Sequence, residues 1–198
     1  MIDRDEKLKQ IRDEVLNLAS SPLYEERIKN KVFPVIGEGS HTASIMFIGE
    51  APGEKEAATA RPFVGRSGQF LNELLLSIGV KREDVYITNI VKDRPPKNRD
   101  PRPEEIELYA PFLDRQIEII KPRVIAALGR YAMGYIMRKF DLELELEPIG
   151  KAHGKAYKTQ TSYGDLDIVV LYHPCVAVYN PNNIENLKKD FEVLREYK

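Results

Sequence analysis

Ser44-Ile45-Met46-Phe47-Ile48-Gly49-Glu50-Ala51-Pro52-Gly53, then Glu56, then Arg61-Pro62-Phe63-Val64-Gly65-Arg66-Ser67-Gly68, is the stretch on which the rest of the chain depends. The short apolar run at Ser44–Ile48 reads as a buried strand. Gly49, Pro52 and Gly53 stop it and force a tight loop. Ser67 is placed to cap a following helix. A carboxylate, a backbone able to approach a ligand closely and an aromatic ring therefore stand beyond one strand end.

Working outward, Phe70, Leu71, Leu74, Leu75 and Ile78 form one face of that helix, with Gly79 past its end. Upstream, Leu8, Ile11, Val15 and Leu18 recur at helical spacing, and Ser20-Ser21-Pro22 ends the helix they predict. Residues 24–43 read as irregular. Downstream, Asp84–Val91 is strand-like in its β-branched content. It runs into Lys92–Arg102, a Pro-rich segment that cannot be helix. Pro103 suits the first turn of a long helix with Ile106, Tyr109, Leu113, Ile117 and Ile120 as its stripe. Val124–Leu128 is another buried strand, ended by Gly129, and a helix runs from Arg130 to about Phe140. Residues 141–163 carry the weakest pattern and accommodate a hairpin. Asp167–Tyr172 is a strand followed at once by His173-Pro174-Cys175, and Ile184, Leu187, Phe191 and Leu194 mark a closing helix.

Strands alternating with helices predict an α/β fold, a three-layer α/β/α sandwich around a mostly parallel sheet, as one domain over residues 1–198. Ligands bind such sheets beyond the carboxyl ends of the strands. Gly49–Gly53, the loop after Asn89, Gly129-Arg130 and His173–Cys175 all fall there, which predicts one composite site.

The composition bounds the function. The 198 residues are 42% hydrophobic and 31% charged, with a net charge of −1, so no global basic field advertises nucleic acid, although a local patch suffices. A single cysteine, Cys175, excludes an internal disulfide framework and makes a reducing cytoplasm the expected location. No apolar run nears the ~20 residues that span a bilayer.

Each candidate residue has a bland reading beside the chemical one. Glu50 and Glu56 suit water activation or charge stabilisation, or are solvated loop acids. His173 suits donation to an oxygen that gains charge, or is a structural strand-end histidine. The Asn89 amide offers a donor and an acceptor to a base edge, or satisfies the backbone. Phe63 suits stacking on a flat ligand, or is core. Lys92–Arg102 holds five basic and two acidic residues, suited to a phosphate backbone or to solvent. Val176-Ala177-Val178-Tyr179 suits an apolar wedge between bases, or packs on the last helix.

Taken together these motifs resemble the uracil-DNA glycosylase superfamily, specifically its type-4 branch. Gly49–Gly53 with Glu56 and Pro62–Gly65 is similar to the branch's first motif. Asp84–Asn89 with Arg94-Pro95-Pro96, Asn98–Pro101 and Pro103–Ile106 is similar to its central motif, and Lys121-Pro122 through Arg130 and His173-Pro174 complete the likeness. The resemblance implies a glycosylase acting on uracil-containing DNA, expected as a monomer away from membranes. Glu50 and the backbone of Gly49, Ala51, Pro52 and Gly53 would hold water near the sugar carbon, and Glu56 would support the site. Phe63 would stack on a flipped base and Asn89 would read it. His173 would stabilise the uracil oxygen. Arg94, Lys97, Arg99, Arg130 and the stretch Pro174, Cys175, Val176, Ala177 and Val178 would meet DNA.

Departures from the branch bear on its cofactor. The branch carries an iron–sulfur cluster on four cysteines, and the corresponding positions hold Leu18, Ser21, Asp93 and Tyr109. No cluster is therefore expected, with Leu18 and Tyr109 packing in its place and Ser21 and Asp93 hydrogen-bonding across the gap. Ala57, Ala60 and Cys175 also replace the branch's usual residues. No histidine occupies the loop after the central strand, so no stable DNA adduct is expected. A relative that binds DNA without cleaving it, or an α/β enzyme for a small nucleotide, are the alternative readings.

Overall fold

A computed structural model of the protein describes residues 3–197. Its centre is a six-stranded sheet in the order β1-β3-β2-β4-β6-β5. The strands are β1 (Glu38–Gly39), β2 (Ile45–Gly49), β3 (Tyr86–Asn89), β4 (Val124–Leu128), β5 (Ala156–Thr161) and β6 (Gly164–Leu171). β3, β2, β4 and β6 run parallel, while β1 and β5 are antiparallel edges.

Strand alternation assigns the residues of β2 to two apolar layers. Ile45 and Phe47 join the layer formed with α4 (Arg66–Ser77) and α9 (Ile184–Phe191). Met46 and Ile48 join the opposite layer, with α5 (Pro103–Ile120) and α6 (Gly129–Lys139). The expected α/β/α sandwich is what forms. A third apolar cluster packs α1 (Arg4–Leu16) and the following segment on α5 through Leu8, Ile11, Val15, Leu23 and Tyr109. No helix among the described residues is long and apolar enough to cross a membrane.

The chain leaves β2 toward β3 on one side and later returns to β4 on the other. The strand order therefore reverses at β2, and a crevice opens outside its carboxyl end, beside Gly49 and Glu50.

Several local expectations are corrected. Residues 24–43 are not wholly irregular: they contain α2 (Tyr24–Asn30) and β1. α1 stops at Leu16, so Leu18 packs from the loop beyond it rather than from a helical stripe. α4 begins at Arg66 with Gly65 in the cap position, and Ser67 makes no cap bond. The strand before His173 starts at Gly164, because it pairs with β5 as a hairpin.

Candidate active site

The end of β2 lies beside the end of β3, with Gly49 opposite Asn89. The pairing continues past both strands, Ile90 N donating to Gly49 O at 3.0 Å and Val91 N to Glu50 O at 3.0 Å. A Cβ on Gly49 would stand 2.4 Å from Asn89 Oδ1 and 2.8 Å from Phe63 Cζ, so glycine is what lets both side chains close on this point.

Phe63 is held from three directions. Its φ of 49° is left-handed, a conformation strained for an aromatic residue that the surroundings must enforce. Glu56 Oε1 accepts from Val64 N at 2.9 Å and Gly65 N at 2.7 Å. Arg82 donates to Pro62 O at 2.6 Å and Phe63 O at 3.2 Å. Gly68 lies so close that a Cβ there would meet Phe63 O at 1.8 Å. Glu56 thus braces the loop that carries the ring.

His173 follows β6. Cys175 N donates to His173 Nδ1 at 3.2 Å, which leaves the ring proton on Nε2. The ring faces Phe63 at 5.5 Å between centroids, tilted 33°. Glu50, Asn89, Phe63, Glu56 and His173 line one cavity of about 190 Å³. That is room for several waters, the scale of a small flat molecule.

The electrostatics divide the two reactive groups. Burial, reinforced by the negative charge of Asp100 and opposed by Arg130, raises the Glu50 carboxyl to about 7. Asp100 is itself fixed by Arg130 at 2.6 Å and the Tyr131 hydroxyl at 2.7 Å. Burial lowers His173 to about 4, against a smaller upward pull from Glu56. The site therefore offers a carboxylate balanced near neutrality and a neutral imidazole that donates through Nε2.

Ala51, Pro52 and Gly53 line the cavity, and so does Arg99, expected at the DNA instead. So do Pro95 and Asn98, which sequence reasoning passed over. Asn98 has φ 55° in a Pro-Pro-Lys-Asn turn, a conformation asparagine tolerates.

The basic segment is less available than its composition implied. Lys92 is fully buried. Arg99 forks onto the buried Glu105 at 2.8 and 2.5 Å. Arg94 bonds Glu54 at 3.1 Å, and Arg130 bonds Asp100. Lys97 is exposed. The stretch expected to form the wedge is helical. Cys175–Tyr179 is a short helix, α8, whose period turns Ala177 into the core beside the buried Pro174. Cys175, Val176 and Val178 are partly exposed, while Tyr179 is 86% exposed.

The four positions Leu18, Ser21, Asp93 and Tyr109 do converge, with an arrangement different from that expected. Ser21 and Asp93 do not bond each other. The Tyr109 hydroxyl bridges them, 2.8 Å from Ser21 Oγ and donating to Asp93 Oδ2 at 2.6 Å. Arg27, unnoticed in the sequence, donates to both Asp93 oxygens at 3.1 Å and to the carbonyls of Val15 and Leu16. Leu18 packs on the same cluster. A four-thiolate cluster does not fit this donor set: the positions supply no sulfur, and the one carboxylate is already engaged.

A model of the uracil DNA glycosylase superfamily matches residues 36–196. The chain is 42% identical over 191 residues to a type-4 uracil-DNA glycosylase of Archaeoglobus fulgidus, covering 96% of this chain and 93% of that protein. It is 46% identical over 193 residues to one from Saccharolobus solfataricus, covering 96% and 86%. A third, from Thermotoga maritima, is 39% identical over 186 residues, covering 92% and 89%.

Proposed function

The chain belongs to the uracil-DNA glycosylase superfamily, and from that premise we propose that it removes uracil from DNA by hydrolysis, leaving an abasic site for repair. The observation that carries this reading is the convergence of Asn89, Phe63, Glu50 and His173 on one cavity.

The glycosidic carbon is out of reach inside a duplex, so the nucleotide must be flipped out. Phe63 stacks on the flipped base and the Asn89 amide reads its pairing edge. Gly49 admits the ring to close contact. As the C1′–N1 bond breaks, its electron pair leaves with uracil, and His173 Nε2–H donates to the uracil oxygen that gains charge. The Glu50 carboxylate holds a water against C1′ and takes its proton as the new C–O bond forms. Glu56 acts through the Phe63 loop. Lys97, Arg94 and Arg130 meet phosphates at the rim, and Cys175, Val176, Val178 and Tyr179 face the vacated stack.

The chain works as one domain and as a monomer in the cytoplasm, without an iron–sulfur cluster, the Arg27–Asp93–Tyr109–Ser21 bonds serving as its brace. Strand breakage after alkali of a uracil-containing oligonucleotide tests the activity. Glu50→Ala and His173→Ala are each expected to slow release by about 10²-fold or more. Tight DNA binding without release, or full activity in either variant, refutes the reading. Oligonucleotides carrying hypoxanthine and xanthine measure its range. Stoichiometric iron in freshly purified protein refutes the cluster-free brace.

A further inference from the structure

Lys92 lies three residues beyond Asn89 and is fully buried. Among the described residues no carboxylate pairs with it. Its Nζ instead donates to Asn89 O at 2.6 Å, Gln116 Oε1 at 2.6 Å and Thr88 Oγ1 at 2.8 Å. All three partners are committed to accepting. The Thr88 hydroxyl directs its own proton to Ile36 O at 2.6 Å. The Gln116 Nε2 donates to Ile36 O at 2.9 Å and to the Tyr86 hydroxyl at 3.1 Å, which fixes Oε1 as the end facing Lys92. The Asn89 carbonyl carries no proton. A neutral amine would turn a lone pair toward one of these oxygens, so only the ammonium completes the network. Burial pushes the Lys92 pKa well below the ordinary lysine range, and the three short bonds to oxygens oppose that shift by favouring the charged form.

This cation touches the peptide of the residue that meets the base edge. We propose that Lys92 is a positioning residue for base release: it clamps the Asn89 peptide at the end of β3 and delivers a buried positive charge, through that peptide, to the side of the pocket where the departing base becomes negative. Water cannot screen a charge held in this way. The inference rests on the glycosylase reading.

The test compares uracil with 5-fluorouracil in otherwise identical oligonucleotides, by single-turnover release. Fluorine withdraws electrons, so the fluorinated base leaves with less need of stabilisation. Lys92→Met is expected to slow uracil release roughly tenfold more than 5-fluorouracil release, the scale of one unscreened charge at second-neighbour distance. A general loosening of the strand would slow both equally. Gln116→Glu keeps the ammonium and its clamp but adds a counter-charge of nearly the same size, and is expected to show the same selective loss. If Lys92→Met does not fold, as judged by thermal unfolding, Gln116→Glu decides alone. Equal losses on the two substrates, or none, overturn the inference while leaving the glycosylase reading intact. A wild-type chain that releases neither base overturns both.

Discussion

Replacing Glu50 by Gln is expected to stabilise the protein while stopping it. The Glu50 carboxyl titrates at about 7 instead of its ordinary 4.5, chiefly because it is buried beneath the loop that holds it. At about 1.4 kcal/mol per tenfold change in proton affinity, ionised Glu50 costs the fold at most about 3 kcal/mol. The side chain is partly exposed at the cavity, and solvent screening reduces that to about 1–2 kcal/mol. The sign follows from proton counting. Between pH 4.5 and 7 the folded chain keeps a proton that the unfolded chain has released. Stability therefore falls as pH rises through that window, and the full penalty stands above pH 7. Glutamine has the same shape and no charge at any pH. The variant should match wild type near pH 4 and exceed it at pH 8 by about 1–2 kcal/mol, or ~2–4 °C per kcal/mol in melting temperature for a chain of this size. Urea unfolding followed by circular dichroism at both pH values reads the difference. Uracil release should fall by about 10²-fold or more in the same preparation. A variant no more stable than wild type at pH 8 would show that Glu50 is electrostatically satisfied in the fold, and would remove the reason for calling it a poised base.

The wild-type rate should rise with pH to a plateau with a midpoint near 7, and Asp100→Asn should move that midpoint down by removing the nearby negative charge; an unmoved pH–rate profile refutes the coupling. Arg27→Met strands the buried Asp93 carboxylate and should cost about 3–5 kcal/mol in urea unfolding, much of it recovered when Asp93→Asn is added. Gly49→Ala should abolish uracil release, since its Cβ invades the space of Asn89 Oδ1 and Phe63 Cζ, at a cost in stability of about 1–3 kcal/mol; normal activity would place the base elsewhere. DNA affinity should fall with salt at a log–log slope of about −2 to −3, as expected if Arg94, Lys97 and Arg130 each displace one counterion, and a flat dependence refutes phosphate contact at the rim.

The fold was legible where one element satisfied one local rule. β2 and β4 are apolar throughout because both faces of the sheet are covered, and α5 announces itself by Pro103 and a long stripe. The site was legible because its residues stand at strand ends, where a reversal of strand order opens a crevice. What could not be read was pairing across distance. Nothing in the sequence joins Arg27 to Asp93, 66 residues away, or Gln116 to Lys92. The helix at α2 was missed because Tyr24–Asn30 buries only Arg27, a residue that carries no hydrophobic signal. Val176–Tyr179 is a related case: four apolar letters in a row conceal a helical turn that sends Ala177 inward and leaves Tyr179 outside. Ser67 is a good cap by type, but α4 begins one residue earlier, so Ser67 is already helical and the Gln69 amide it would have served donates to Gly65 O at 3.0 Å.

One physical rule sorts the charged residues of this chain into those that hold the site and those that work in it. Arg27 with Asp93 and Lys92 with its three acceptors are buried sets in which donors and acceptors match, and Arg99, itself partly exposed, forks onto the buried Glu105. They flank the Lys92–Arg102 loop at both ends, which is how a proline-rich loop with a single 3-10 turn at Pro96–Asn98 presents Pro95 and Asn98 to the cavity at fixed positions. Arg94 with Glu54, and Arg130 with Asp100, are exposed pairs worth about 0–1 kcal/mol, so a phosphate can replace either carboxylate at little cost. Glu50 and His173 belong to neither group. Each is buried enough to shift its proton affinity and lacks a partner of opposite charge in direct contact. A fold seeking stability alone would satisfy or replace such groups. Two such groups facing one strand-end crevice are the physical mark of a site kept ready for substrate.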